Sequence, residues 1–240
     1  MYITQYDGEH SVIFGNKDSW KDWHLIPASR PVFNPPEVKT NVIDVPGMDG
    51  GIDLSEILSG YPLYKNRSGS FEFIVDPDWK PWSETYSEIA NYIHGQHLRA
   101  ILTDDPTYFY EGRFSVDSWK SSAKYSSITI NYDVDPYKYN VVGTLDEWIW
   151  DTFNFETSVI QNYKLVTING TLNLTILGDE KRVSPIFTAT ADMTLTYKGS
   201  TYPIKKGTHK IYGVTFGSGE NKITVSGKGT LSIDYRGGSL

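Results

Sequence analysis

Val45-Pro46-Gly47-Met48-Asp49-Gly50-Gly51-Ile52-Asp53-Leu54-Ser55-Glu56 is the stretch around which the chain is organised, and it runs on through Gly60-Tyr61-Pro62 to Tyr64-Lys65-Asn66-Arg67. Pro46, Gly47, Gly50 and Gly51 crowd into a few positions, which calls for positive φ values or close backbone approach rather than a regular element. Residues 38–45 before it and 69–75 after it read as extended segments. Asp53 then opens an apolar-periodic piece, Leu54, Ile57 and Leu58, expected to make one or two helical turns. The stretch lacks the Lys-Ser/Thr of a P-loop and the glycine spacing of a dinucleotide-binding turn, so it has no support as a phosphate cradle. It reads instead as a shaped connection, with Asp49 or Asp53 serving a turn or cap.

Towards the N-terminus, Asp7-Gly8 is a hairpin-turn signal and Gly15-Asn16 a second break. Trp20 and Trp23 precede a passage containing Pro27, Pro31, Pro35 and Pro36, which has few backbone donors and reads as extended or looped. The two tryptophans serve equally well as core anchors or interface anchors. Beyond the central stretch, Phe71 and Phe73 share one face of a strand over 70–75. One helix follows, its start marked by Asp78 and by Pro81 in the first turn. Trp82, Tyr86, Ile89, Ala90 and Ile93 form its apolar face, and Gly95 ends it. Strands are expected over 98–103, 108–119 and 125–134, with turns at Asp104-Asp105-Pro106 and Lys120-Ser121-Ser122. This half reads as an α+β domain, antiparallel strands with one packed helix, over residues 1–139.

Pro136 cannot continue a central strand, which places the boundary near 138–145. Charge shifts there as well: residues 1–139 carry 12 Lys and Arg against 20 Asp and Glu, and residues 140–240 carry 10 against 9. Residues 140–240 show no helical periodicity. Asn169-Gly170 reads as a type I′ turn between two strands. Phe187, Ala189, Ala191, Met193, Leu195 and Tyr197 alternate with Thr and Asp as one half-buried strand. Further strands are expected over 211–216, 222–226 and 229–235, with Tyr197, Tyr212, Phe216 and Tyr235 facing inward. The pattern is that of an all-β sandwich of jelly-roll or galectin-like type.

The chain's chemistry is sparse. With no cysteine it offers no disulfide, thiolate metal site or thiol nucleophile. The net charge of −7 argues against a nucleic-acid-binding surface. His94 and His97 are interrupted by Gly95, and Asp104-Asp105 and Asp133-x-Asp135 do not continue into a calcium loop. Glu156, Glu180 and Glu220 fall at turns or strand edges rather than as a facing pair, and no nucleophile elbow occurs. No catalytic, cofactor or metal site is expected. There is no signal-peptide pattern and no apolar run of membrane-spanning length, so the expectation is a chain made soluble in the cytoplasm.

The order of features over residues 1–139 resembles the distal tail protein (Dit) family of long-tailed phages infecting Gram-positive bacteria. The residues that carry it are Trp20-x-x-Trp23-x-Leu25, Pro36-Glu37-Val38-Lys39-Thr40, Val45 to Gly50, Asp53-Leu54-Ser55 and Tyr64-x-Asn66-Arg67. Tyr92-Ile93-His94-Gly95, Tyr110-Glu111-Gly112-Arg113-Phe114 and Tyr132-Asp133-Val134-Asp135-Pro136-Tyr137-Lys138 complete it. Gly227-x-Gly229 and the ending Ile233-Asp234-Tyr235-Arg236-Gly237-Gly238 are similar, more loosely, to the family's C-terminal sandwich.

The resemblance implies a structural protein of the virion rather than an enzyme, made in the bacterial host cytoplasm. Its N-terminal domains would form a hexameric ring between the tail tube protein and the tail-associated tip or baseplate protein. The sandwich domains would project outward and, in some relatives, carry receptor-binding proteins. DNA would pass through the ring only as cargo, past an acidic domain that gives phosphate no counterion-release gain. Candidate assembly residues are Trp20, Trp23, Pro46, Gly47, Asp49, Gly50, Asp53, Leu54, Tyr64, Asn66 and Arg67. The alternative is a glycan-binding module that contacts the host cell wall.

Overall fold

The computed structural model describes residues 6–76, 79–121, 126–141, 145 and 163–240, and divides into two compact units, Met1–Lys138 with Leu240, and Tyr139–Ser239. Among the described residues the fold is mostly β with one helix, in antiparallel sheets that curl. Asp78 and Glu156, named above as a helix-start signal and an acid, lie outside the described residues.

In the first unit, β1 (Val12–Phe14), β2 (Lys17–Asp18) and β3 (Leu25–Pro27) are short. A separate pair, β4 (Val42–Asp44) and β5 (Gly51–Asp53), precedes β6 (Arg67–Val75), helix α1 (Trp82–Ile93), β7 (His97–Leu102), β8 (Tyr108–Ser121) and β9 (Ser126–Val134). The main sheet runs β2-β1-β7-β8-β9-β6-β3, antiparallel throughout. Its inner face follows from alternation: Phe71, Phe73 and Val75 on β6, Phe114 and Val116 on β8, and Ile128, Ile130, Tyr132 and Val134 on β9 are all buried. α1 closes this face with Ile89 and Ile93, both fully buried and each worth about 1.5–3 kcal/mol of apolar burial. Trp82, Tyr86 and Ala90 pack beside them, as the periodicity predicts, and Thr85 joins them. Pro81 sits one position earlier than expected, at the N-cap, and has no side chain to cap the helix with. Gly95, at φ 74°, lies just past the helix end.

β8 contains a bulge between Val116 and Trp119: Val116 pairs with Ile130 and Trp119 with Ile128. The extra residue shifts the alternation by one, so Trp119 returns to the face that α1 covers and meets Trp82 (5.4 Å) and Tyr86 (5.5 Å). β8 also runs through Ser121, so the Lys120-Ser121 part of the expected turn is strand.

Among the described residues the first hairpin turn lies at Gly15-Asn16 rather than at Asp7-Gly8: Phe14 pairs with Lys17, and no described strand adjoins Asp7 or Gly8. Tyr92 fixes this turn, its hydroxyl donating to the Phe14 carbonyl (3.2 Å) and accepting from the Asn16 amide (3.2 Å).

In the second unit, β11 (Val166–Gly178), β12 (Ile186–Ala189), β13 (Met193–Tyr197), β14 (Ser200–Ile204), β15 (Gly207–Lys210) and β16 (Gly219–Asp234) form one antiparallel sheet, order β14-β13-β16-β12-β15, with β11 also on β16. β10 (Lys138–Asn140), at the boundary between units, pairs with β17 (Gly238–Ser239). Four sequence expectations are corrected here. Asn169-Gly170 makes no turn; thirteen consecutive pairs with β16 outweigh a two-residue turn preference, and Gly170 faces Gly227. The alternating segment from Phe187 to Tyr197 is two strands, broken at 190–192, although the inward set Phe187, Ala189, Met193, Leu195 and Tyr197 is buried as expected. Residues 211–216 form turns and one isolated bridge, Val183 to Phe216, and leave Tyr212 79% exposed. Gly227 and Gly229 do not divide β16, so the strands expected over 222–226 and 229–235 are one.

Gly112 marks the tightest point of the main sheet. A Cβ there would lie 2.3 Å from the Asp133 carbonyl oxygen and 2.4 Å from Val134 Cα, backbone atoms that cannot swing away. Gly112→Ala is expected to destabilise the first unit by about 1–3 kcal/mol, as other overpacked interior sites do. Urea unfolding followed by tryptophan fluorescence measures this, and an unchanged midpoint would contradict it.

Candidate assembly arm

Between Asn34 and Arg67 the chain leaves the first unit's core and returns, forming an antiparallel arm. The Lys65 amide donates to the Glu37 carbonyl (2.8 Å), Val38 bridges Tyr64, and the Lys39 amide donates to the Leu63 carbonyl (2.7 Å). β4 and β5 extend the ladder with Val42–Asp53, Ile43–Ile52 and Asp44–Gly51 pairs. Pro46, Gly47, Asp49 and Gly50 form the turn at the tip, closed by the Met48 amide on the Val45 carbonyl (3.1 Å). Gly47 and Gly50 take φ of 85° and 74°, which a branched side chain adopts only under strain. Sequence reasoning treats this stretch as a connection between separate extended segments; it is the end of one ribbon.

Residues 54–62 are an excursion from the return leg, made of turns: Ile57 donates to Leu54 (3.2 Å) and Gly60 to Glu56 (2.7 Å). The Gly60-to-Glu56 bond closes one helical turn, within the one or two expected, and no helix continues from it. Its apolar face has nothing to pack on, with Ile57 70% and Leu58 98% exposed. Leu54 is half-buried, its amide bonded to the Asn41 carbonyl (2.8 Å). Every residue from 37 to 53 is exposed, among them Val38, Val42, Ile43, Val45, Met48 and Ile52. Apolar exposure this concentrated is uncommon on a lone soluble chain.

The candidate residues fall into three groups. Pro46, Gly47, Asp49, Gly50, Asp53 and Leu54 share the outer part of the arm. Tyr64, Asn66 and Arg67 lie at its root: Tyr64 sets its ring edge-on to Tyr137 (5.9 Å), Asn66 Nδ2 donates to Asp133 Oδ1 (2.8 Å), and Arg67 is 5% exposed. Trp20 and Trp23 belong to the body. Trp23 is in the core at 1% exposed against Tyr92 (5.6 Å), whereas Trp20 is half-buried beneath Tyr6 (4.8 Å). Asp18 forms their turn, its Oδ1 accepting from the Trp20 amide (2.8 Å).

Sequence reasoning missed Asn34 and Tyr132 at the arm's root, where the Asn34 amide donates to the Tyr132 hydroxyl (3.0 Å). Ninety-eight residues separate them, and neither belongs to a recognisable local pattern. Among the described residues no group of three or more His, Cys, Asp or Glu could hold a metal ion, and no helix is long and apolar enough to cross a membrane. The acids in the Asp104-Asp105 turn have partners: Asp104 is hydrogen-bonded to His10 (2.8 Å) and ion-paired with Arg30 (2.7 Å), and Asp105 is ion-paired with Lys138 (2.9 Å).

Ser55 locks the turn after β5. Its hydroxyl and its amide (2.8 Å) both donate to Asp53 Oδ1, which holds the Asp53 carboxyl below the usual aspartate range. A depressed carboxylate stabilises the fold above the ordinary aspartate pKa and loses that contribution as pH falls through the folded value. In Ser55→Ala the hydroxyl donor is lost, so the Asp53 pKa is expected to rise toward the ordinary value. Carboxyl-carbon NMR titration measures it, and an unmoved pKa would refute the assignment.

No family model matches the sequence, and no curated protein does. The fold does find a likeness: the crystal structure of the SPP1 Dit (gp 19.1) protein, described as a paradigm of the hub adsorption apparatus in phages infecting Gram-positive bacteria. The two align at a TM-score of 0.61 with 13% sequence identity, over 96% of this chain and 99% of that one.

Proposed function

We propose that this chain is a hub protein of a phage tail tip, which assembles through its arm into a hexameric ring. The observation that carries the reading is the arm, an exposed apolar ribbon with no core of its own, on a fold similar to a hub adsorption protein over nearly its whole length. A closed ring needs two different complementary patches on each copy. The arm supplies one, and the neighbouring copy's body supplies the other. Covering Val42, Ile43, Ile52, Ile57 and Leu58 removes apolar surface from water at about 25 cal/mol per Å² before the costs of association.

In this reading residues 1–139 form the ring and residues 140–240 serve as its outer, all-β domain. One ring face meets the tail tube protein and the other the tail-associated tip protein. A receptor-binding protein would attach through the outer domain. The chain is made in the bacterial cytoplasm and works in the virion, with DNA crossing its channel as cargo.

The glycan-binding alternative finds little to build on in the described part of the second unit. Tyr197, Phe216 and Tyr235 are buried, with the Tyr197 hydroxyl donating to the Thr215 carbonyl (2.6 Å) and that of Tyr235 to the Leu177 carbonyl (2.6 Å). Tyr212 alone of these four aromatics is open to stack on a sugar.

Light scattering of the purified chain is expected to give six times its 27.2 kDa mass, and negative-stain images six-fold rings. A monomer at every concentration tested would sink the reading. Gly47→Val with Gly50→Val is expected to abolish the rings while second-unit NMR signals persist, because strain at the tip splays the ribbon. Rings that survive both substitutions would show that the arm does not assemble them. Retention of the chain on purified cell walls without any ring would favour the glycan-binding alternative.

A further inference from the structure

Arg67 is 5% exposed, and among the described residues no carboxylate pairs with it. A buried guanidinium without an acid is costly. β6 does not need it for anchorage, since Phe71, Phe73 and Val75 already bury that strand. What the guanidinium touches is specific. Nε donates to the Pro136 carbonyl (2.8 Å) and Nη1 to the Asn34 carbonyl (3.1 Å), while Nη2 is buried without a hydrogen-bond partner among the described residues. The group lies over the Tyr110 ring (5.5 Å). Asn34 is the last residue before the arm leaves the core and Arg67 the first after it returns, so the Nη1 bond ties the two roots directly.

Asn34 is held from two further sides: its amide donates to the Tyr132 hydroxyl (3.0 Å), and its side-chain amide to the Ser68 carbonyl (3.1 Å). Gly69 leaves room for this knot, as a Cβ there would lie 2.4 Å from the Tyr132 hydroxyl and 2.7 Å from Asn34 Nδ2. We infer that Arg67 is a positioning residue: its planar fork, braced by Tyr132 and Asn34, sets the direction in which the arm leaves the body. Lysine carries the same charge but has no fixed fork with which to span two carbonyls. The inference rests on the arm's being the docking element, because direction matters only for a part that must reach a neighbour.

The chain's lack of cysteine makes the test direct. Nitroxide labels are placed on Met48→Cys at the arm tip and Asn91→Cys on the exposed side of α1, and the distance distribution between them is measured on dilute, unassembled chain. Wild type is expected to give one narrow distribution, and Arg67→Met one about twofold broader, the ordering contribution of the clamp being lost. Arg67→Lys is expected to restore the melting temperature but not the narrow distribution, which separates positioning from mere stability. Tyr132→Phe, which removes the hydroxyl that receives the Asn34 amide, is expected to broaden it partway and serves if Arg67→Met does not fold. Equal widths in wild type and the substituted chains would overturn the inference. Ring formation by unlabelled wild type is scored separately, so its absence would sink the functional reading and leave the clamp to stand or fall on its distances.

Discussion

A two-stranded ribbon has no inside. Its ladder satisfies backbone groups, but both faces stay in water, and such hairpins are marginal unless a third layer covers them. The arm from Glu37 to Lys65 is built this way, and its apolar residues are the kind that interiors are made of. Isoleucines and valines on both legs give high strand propensity, which helps the ribbon form, yet leave it sticky. The rest of the first unit can be understood as the support this arm requires. The sheet gives it a root on β6 and β9, where Arg67 and Asn34 bond through their side chains to the backbone of Pro136, Asn34 and Ser68.

The body meets that demand with ordinary means. Alternation on β6, β8 and β9 fills one face with Phe, Ile and Val, and α1 seals it. Where the alternation would have failed, at the far end of β8, one extra residue puts Trp119 back among the aromatic side chains of the helix. The turn between β7 and β8 is pinned by polar contacts rather than by packing: Asp104 and Asp105 receive His10, Arg30 and Lys138 from three separate segments. Each of these pairs is partly exposed and contributes little stability alone. Together they bring distant parts of the chain to one turn.

How much of this is legible in the sequence follows from how local each signal is. The helix, its apolar face and its glycine end are written in adjacent residues, and so are the inward sets on β6 and β9. The Asn169-Gly170 turn misleads because a strong local preference meets a long-range ladder, and the ladder has more bonds. The Leu54, Ile57 and Leu58 periodicity yields a single turn for the opposite reason: among the described residues no surface receives its apolar face. In the arm, the position of the tip residues Gly47 and Gly50 is readable, whereas the clamp is not. Arg67 acts through two backbone carbonyls that any residue would supply, and through a tyrosine and an asparagine far apart in sequence. Trp23, equally suited by type to core and interface, needed the structure to place it in the core.

The pairing of β11 with β16 has a mechanical side. Hydrogen bonds in an antiparallel ladder stand perpendicular to the strands. A load along the strand axes therefore stretches all thirteen paired positions of β11 and β16 in parallel, while a load across them opens the ladder one rung at a time. The same bonds resist strongly in the first direction and yield in the second. The second unit is thus a stiff element for force applied along β16 and a compliant one for force that peels its edge, an anisotropy that follows from having one sixteen-residue strand where two shorter ones were expected.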